Sequence, residues 1–173
     1  MLAIVGYTAN AQFKTATLQA SGLTCAMCSK AINNSLEELP FVESVKADIK
    51  NSAFNIVFGA GSSVDFDQLR KAVEDAGFSV ANLKVGGNFQ DLAIKNDDHV
   101  EIGGKMFHFL NVNSQTLSGA KQIRIVDKDF VTSKEFKKYT ASTEMHCVKT
   151  GKSAGCCKKE GIAVNTRIYH VTI

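Results

Sequence analysis

Five cysteines and four histidines hold most of the ligand chemistry in this 173-residue chain. Cys25 and Cys28 stand two residues apart in Gly22-Leu23-Thr24-Cys25-Ala26-Met27-Cys28. That spacing can direct both sulfurs at one ion, and soft sulfur selects soft ions such as Cu(I). Two thiolates suit a two-coordinate ion and leave Zn(II) short of its usual four ligands. A disulfide between the same two residues is the plainer reading in an exported protein. The remaining sulfur lies far downstream, at Met145-His146-Cys147 and, after a Gly- and Lys-rich loop, at Cys156-Cys157. His146, Cys147 and Cys156 or Cys157 have the mixed nitrogen and sulfur chemistry of a second soft-metal site. A bridge from Cys147 to Cys156 or Cys157, stapling the loop, is the competing reading. Lys149, Lys152, Lys158 and Lys159 surround these cysteines, as a solvated loop or as charges that lower a thiol pKa. His99 and His108 read as ordinary strand residues satisfied by local hydrogen bonds, and His170 falls in the last strand.

The elements that must position these groups follow from periodicity. Ala16, Leu18 and Ala20 alternate with Thr15, Thr17 and Gln19, a strand that hands over to the Cys25 loop. Cys28, Ile32, Leu36 and Leu39 then recur at helical spacing until Pro40. Val45, Ala47 and Ile49 lead through Asn51-Ser52 into Phe54, Ile56 and Phe58, which predicts a hairpin. Asp65 with Gln68 marks the start of a second helix with Phe66, Leu69, Val73 and Ala76 on its apolar face, and Gly77 ends it. Val80 to Leu83 supplies a last short strand. The order βαββαβ is a split βαβ unit, with two helices on one face of a four-stranded sheet. Cys28 then sits in a first helical turn, where free N–H groups and the positive end of the helix dipole favour thiolate over thiol.

This segment resembles the heavy-metal-associated (HMA) domain family of copper chaperones, metal-ATPase modules and the periplasmic mercury-binding protein. The family motif G-M-T-C-x-x-C is met at Gly22, Thr24, Cys25 and Cys28, with Leu23 in place of the usual Met. Asp75-Ala76-Gly77-Phe78 resembles the family's exit from its second helix, although Phe78 is neither the Lys nor the Tyr often found there. The resemblance covers residues 14–84. It implies that Cys25 and Cys28 hold one Cu(I) nearly linearly, with Hg(II), Zn(II) or another soft metal as substitutes. It also implies a handover through a three-coordinate intermediate to a metal-transporting ATPase or another thiol-bearing acceptor. Met27, between the ligands, reads as a surface or capping contact before an auxiliary thioether.

Beyond Val85-Gly86-Gly87-Asn88, which reads as a hinge, the character of the chain changes. Residues 12–85 carry 7 basic and 8 acidic residues, a net of −1, whereas 86–173 carry 13 and 9, a net of +4. Phe89 to Ile94, His99 to Ile102, Lys105 to Val112, Lys121 to Val126 and Asn165 to Ile173 read as strands. Gly103-Gly104 is a hairpin signal, and Thr132 with Glu135 a capping box that opens a short helix through Tyr139. The expected fold class is α+β: a ferredoxin-like domain over 12–85, then a small β-rich domain over 86–173 with an OB-like barrel as its suggested form.

Hydrophobic residues make up 45% and charged residues 21%, which excludes disorder and collagen-like repeats, and +3 makes no case for nucleic acid. Leu2 to Val5 is apolar, and Ala9-Asn10-Ala11 has the form of a signal-peptidase site. Residues 1–11 therefore read as the remnant of an export signal, and the expected location is periplasmic or secreted, or cytoplasmic if Met1 is the true start. No run is apolar enough to span a membrane. Without a Ser-His-Asp set, a phosphate loop or paired acids, no enzyme is expected. The alternatives are a thiol–disulfide oxidoreductase using Cys25 and Cys28, and an interaction module that no longer transports metal. The first is opposed by the βαββαβ order, by the lack of a Trp before Cys25, and by a single proline, Pro40, that ends a helix. Oligomeric state leaves no mark in the sequence.

Overall fold

The computed structural model describes residues 12–23, 26–155, 157 and 161–173. The expected signal remnant at 1–11 lies outside the described residues, as do Thr24, Cys25, Cys156, Lys158 and Lys159. The first half folds as its periodicity predicts: β1 (Gln12–Ser21), α1 (Ala26–Glu37), β2 (Val42–Asp48), β3 (Ala53–Phe58) and α2 (Phe66–Asp75), then β4 (Ser79–Ile94). Asp65 caps α2 by accepting from the backbone N–H groups of Asp67 and Gln68, while Gln68 Nε2 donates to Asp65 Oδ2 at 3.2 Å. The four strands run in the order β2-β3-β1-β4, the antiparallel sheet of a ferredoxin-like fold. Ile32 and Leu36 of α1 and Phe66, Leu69 and Val73 of α2 are buried in one core with Leu18, Phe54 and Leu83.

The second half departs from expectation at the supposed hinge. Val85 to Asn88 lie inside β4, which runs without a break from Ser79 to Ile94 and absorbs the strand expected at Phe89–Ile94. These residues pair with β1 on one side and with β7 (Gln115–Ile125) on the other. The two glycines answer to close approach: a Cβ on Gly86 would lie 2.5 Å from Thr15 Oγ1, and one on Gly87 3.1 Å from the Gln12 carbonyl oxygen. β5 (His99–Ile102) and β6 (Lys105–Phe109) form the hairpin at Gly103-Gly104. α3 (Ser133–Thr140) opens on the Thr132–Glu135 box, α4 is the single turn Cys147–Thr150, and β8 (Ile168–Thr172) closes the chain.

The OB-like barrel is not formed. Among the described residues the eight strands belong to one open sheet, β2-β3-β1-β4-β7-β8-β6-β5, because β8 enters between β7 and β6 and pairs parallel with β6. Every residue of β8 is buried, as a strand covered on both faces requires. On one face Phe107 and Tyr169 join Phe13 and Phe66 across the former hinge, with ring centroids 5.2–5.8 Å apart for Phe66–Tyr169, Phe13–Phe66, Phe13–Phe107 and Phe107–Tyr169. Such pairs add about 0.5–1.5 kcal/mol each beyond burial.

An ion pair fastens the same seam. Arg167 donates to Asp67 through Nε at 2.9 Å and Nη2 at 3.1 Å, and the Tyr169 hydroxyl donates to Asp67 at 3.0 Å. Burial alone would raise the Asp67 pKa, but the Arg167 hydrogen bonds and charge, helped by Tyr169, hold it below the ordinary 3.8. A carboxylate depressed in the folded state contributes stability above its unfolded pKa and loses it as pH falls through the folded value. Asp67→Asn is expected to cost about 1–2 kcal/mol at pH 7, a modest figure because the pair is partly solvated. The gap from wild type should close as the pH drops below about 3.8. Urea midpoints of both proteins at pH 7 and near pH 3 measure it, and a gap of equal size at both would refute the assignment.

Candidate metal centres

The first candidate centre is the turn between β1 and α1. Gly22 takes a φ of +81°, a left-handed conformation that glycine adopts without strain, and an added Cβ would touch Phe78 Cδ1 at 3.9 Å. Leu23 and Phe78 both pack against the core, so Leu23 ties the end of β1 to it. Cys25 lies outside the described residues. Cys28 is half-buried in the first turn of α1, and no acidic side chain in that turn offsets the positive end of the helix. Met27 is 74% exposed, which agrees with a surface contact. The 12-residue helix therefore presents Cys28 where a thiolate is favoured.

The second centre differs from its expected form. His146 is exposed at the start of α4 and takes no part, Cys156 lies outside the described residues, and Cys147 and Cys157 are fully buried. Their neighbours are the three histidines read as ordinary strand residues or left aside. His99 on β5 is in register with His108 on β6, which is in register with His170 on β8. Side chains at matched register share a sheet face, so the three rings form a row across adjacent strands. His99 and His108 stack with centroids 4.2 Å apart, and His108 meets His170 edge-on at 5.1 Å. Cys147 and Cys157 lie against that row. Cys147 Sγ lies 3.6 Å from His108 Nδ1 and 3.8 Å from His99 Nε2, and Cys157 Sγ lies 3.9 Å from the same His99 nitrogen. Two three-donor groups result, His99–Cys147–Cys157 and His108–Cys147–His170, with the Cys147 sulfur common to both.

Carboxylates settle which ring nitrogens carry protons. His108 Nε2 donates to Asp97 Oδ1 at 3.1 Å, and His170 Nδ1 donates to the buried Asp127 Oδ1 at 2.6 Å. An ionised carboxylate only accepts, so the lone pairs are left on His108 Nδ1 and His170 Nε2. Burial, then the neighbouring His170 and His99, push the His108 pKa down to about 3 against the opposing pull of Asp97. His108 is therefore neutral at neutral pH. Asp127 is itself held by Arg167, whose Nη2 lies 3.0 Å from Asp127 Oδ2.

The family of heavy-metal-associated domains matches residues 17–79, and the C-terminal half matches no family. Copper chaperone CopZ of Bacillus subtilis is 34% identical over 65 residues, 38% of this chain and 93% of that protein. A probable copper-transporting ATPase of Arabidopsis thaliana is 30% identical over 73 residues, 42% of this chain and 7% of the transporter. A probable copper-exporting P-type ATPase of Archaeoglobus fulgidus is 32% identical over 66 residues, 38% of this chain and 8% of the transporter. The chain thus spans under a tenth of the length of these two ATPases. Among solved structures, a CopZ metallochaperone aligns with 25% identity and a TM-score of 0.36, over 39% of this chain and 98% of that one. Oxidised MerP from Ralstonia metallidurans CH34 aligns with 25% identity and a TM-score of 0.36, over 40% and 97%.

The two centres should differ in thiol access. In the folded, reduced chain a thiol-specific alkylating agent is expected to modify Cys28 at least about tenfold faster than Cys147 or Cys157, which must wait for local opening. In denaturant the three rates should converge. Peptide mass spectrometry over a time course reads the rates, and equal labelling in the native state would contradict the burial described.

Proposed function

The chain belongs to the heavy-metal-associated domain family through residues 17–79, and from that premise we propose that it is a non-catalytic carrier of a soft metal ion, with Cu(I) as its cargo. The observation that carries this reading is Cys28 in the first turn of α1, shortly after Gly22 takes a left-handed φ and Leu23 packs against the core. Cys25 and Cys28 act as the two thiolate ligands. Two soft donors at a helix start suit Cu(I), with Hg(II) close behind and Zn(II) under-coordinated. Similarity to CopZ, named as a copper chaperone, supports copper as the cargo. Similarity to segments of proteins named as copper ATPases supports a metal-transporting ATPase, or another thiol-bearing acceptor, as the partner.

The carrier hands its ion over by ligand exchange. An acceptor thiolate adds to the two-coordinate ion, a Cys25 or Cys28 bond then breaks, and the metal passes without release to water. No helix among the described residues is long and apolar enough to cross a membrane. A periplasmic or secreted location is supported by the Ala9-Asn10-Ala11 pattern. In such a compartment the Cys25–Cys28 pair must be kept reduced for Cu(I) to bind.

Anaerobic Cu(I) titration of the reduced protein against a competing chelator tests the reading. Cys25→Ser/Cys28→Ser is expected to remove one tightly bound equivalent, with affinity at that site falling more than about 100-fold. A binding isotherm unchanged by the double substitution would overturn the assignment. Reduction of insulin by the protein, abolished in the same variant, would replace it with an oxidoreductase.

A further inference from the structure

The geometry points to a second metal site, buried in the C-terminal half and built from His108, Cys147 and His170, with His99, which also faces the Cys147 sulfur, able to supply a fourth donor. Its ligand is a single first-row cation, the soft Cu(I) or the borderline Zn(II). It lies outside residues 17–79 and does not depend on the carrier reading of Cys25 and Cys28. One ligand atom of this cluster is left without a hydrogen bond among the described residues. His108 and His170 have each turned their one N–H toward a carboxylate, so their remaining nitrogens can only accept. The Cys147 thiol has one proton and faces both His108 Nδ1 and His99 Nε2. His170 Nε2, on a ring with no exposure, has no hydrogen-bond partner among the described residues. A fully buried imidazole lone pair with no donor, within 4.8 Å of a cysteine sulfur and a second imidazole nitrogen, is what a cation relieves.

Distances and surroundings agree. Bonds of about 2.3 Å to sulfur and 2.0–2.1 Å to nitrogen, at tetrahedral or trigonal angles, place sulfur and nitrogen roughly 3.6–3.8 Å apart. The Cys147 sulfur meets this range at both neighbouring imidazoles, 3.6 Å from His108 Nδ1 and 3.8 Å from His99 Nε2. Metal-binding imidazoles characteristically donate their second nitrogen to a carboxylate, as His108 does to Asp97 and His170 to Asp127. Neutral imidazoles with mixed thiolate ligation suit Zn(II) and Cu(I) and do not suit Mg(II) or Ca(II). Binding displaces the thiol protons to solvent, and no electron is transferred.

The test uses the full chain as Cys25→Ser/Cys28→Ser, reduced and metal-free, so that the first centre is silent. Zn(II) and Cu(I) are titrated separately against chromophoric chelators. One equivalent of either ion should bind with a Kd of about 1 μM or tighter, and the tighter of the two names the ion. X-ray absorption of the loaded protein should show nitrogen at about 2.0–2.1 Å together with sulfur near 2.3 Å. Adding Cys147→Ser should weaken binding more than about 100-fold, and Asp127→Asn, which touches no metal, about 10–100-fold. His99→Ala, on the half-exposed edge strand, serves if either buried variant fails to fold. Metal should also protect Cys147 and Cys157 from alkylation. The proposal is overturned by the absence of a bound equivalent, by a shell without imidazole, by affinity indifferent to Cys147→Ser, or by a native disulfide joining Cys147 to Cys156 or Cys157.

Discussion

The architecture depends on one strand that does not stop. A four-stranded βαββαβ unit would leave the outer side of β4 open, but here β4 continues to Ile94 and pairs along that side with β7. The ladder on both sides closes only because Gly86 and Gly87 keep side chains out of the space beside Thr15 and Gln12. From that junction the sheet extends through β8 to β6 and β5, and the core extends with it. α2 consequently packs on strands from both halves, through Phe66 against Phe107 and Tyr169.

What the sequence made legible was local. Helix starts at Asp65 and Thr132 carry their own hydrogen-bond partners three residues on, and the apolar faces of α1 and α2 follow from spacing along one element. Gly86-Gly87-Asn88 has the local form of a hinge yet lies inside β4, for the opposite reason. A glycine pair signals a turn unless another strand approaches closely, and that approach is not written nearby. The histidine row was hidden in the same way. The Gly103-Gly104 turn sets His99 opposite His108, but alternation only places His170 on a face with Ile168 and Thr172, and no local signal gives the register of β8 on β6. His146 looked like a ligand because it adjoins Cys147. Consecutive residues at a helix start point in different directions, and only the cysteine turns inward.

A chain of charged contacts joins the family-matched half to the buried centre. Asp67 on α2 accepts from Arg167, Arg167 pairs with Asp127, and Asp127 accepts from His170. Burial opposes the charge on Arg167, yet the hydrogen bonds and charges of Asp67, with the charge of Asp127, raise its pKa. Its planar fork serves two carboxylates while stacking over Tyr169 at 4.1 Å, a geometry that lysine would not reproduce. Orientation of the His170 ring is thus tied to the packing of α2.

Growth of the sheet also decides what lies at its rims. An open sheet ends in two strands with backbone groups unpaired on one side, a template for strands of other chains. β2, at one rim, carries Glu43, Lys46 and Asp48, and β5, at the other, is only four residues long. Charge blunts the first and brevity the second. The strands with the greatest appetite for pairing, the long β4 and the wholly buried β8, are both interior, so further extended chain finds little to grow upon.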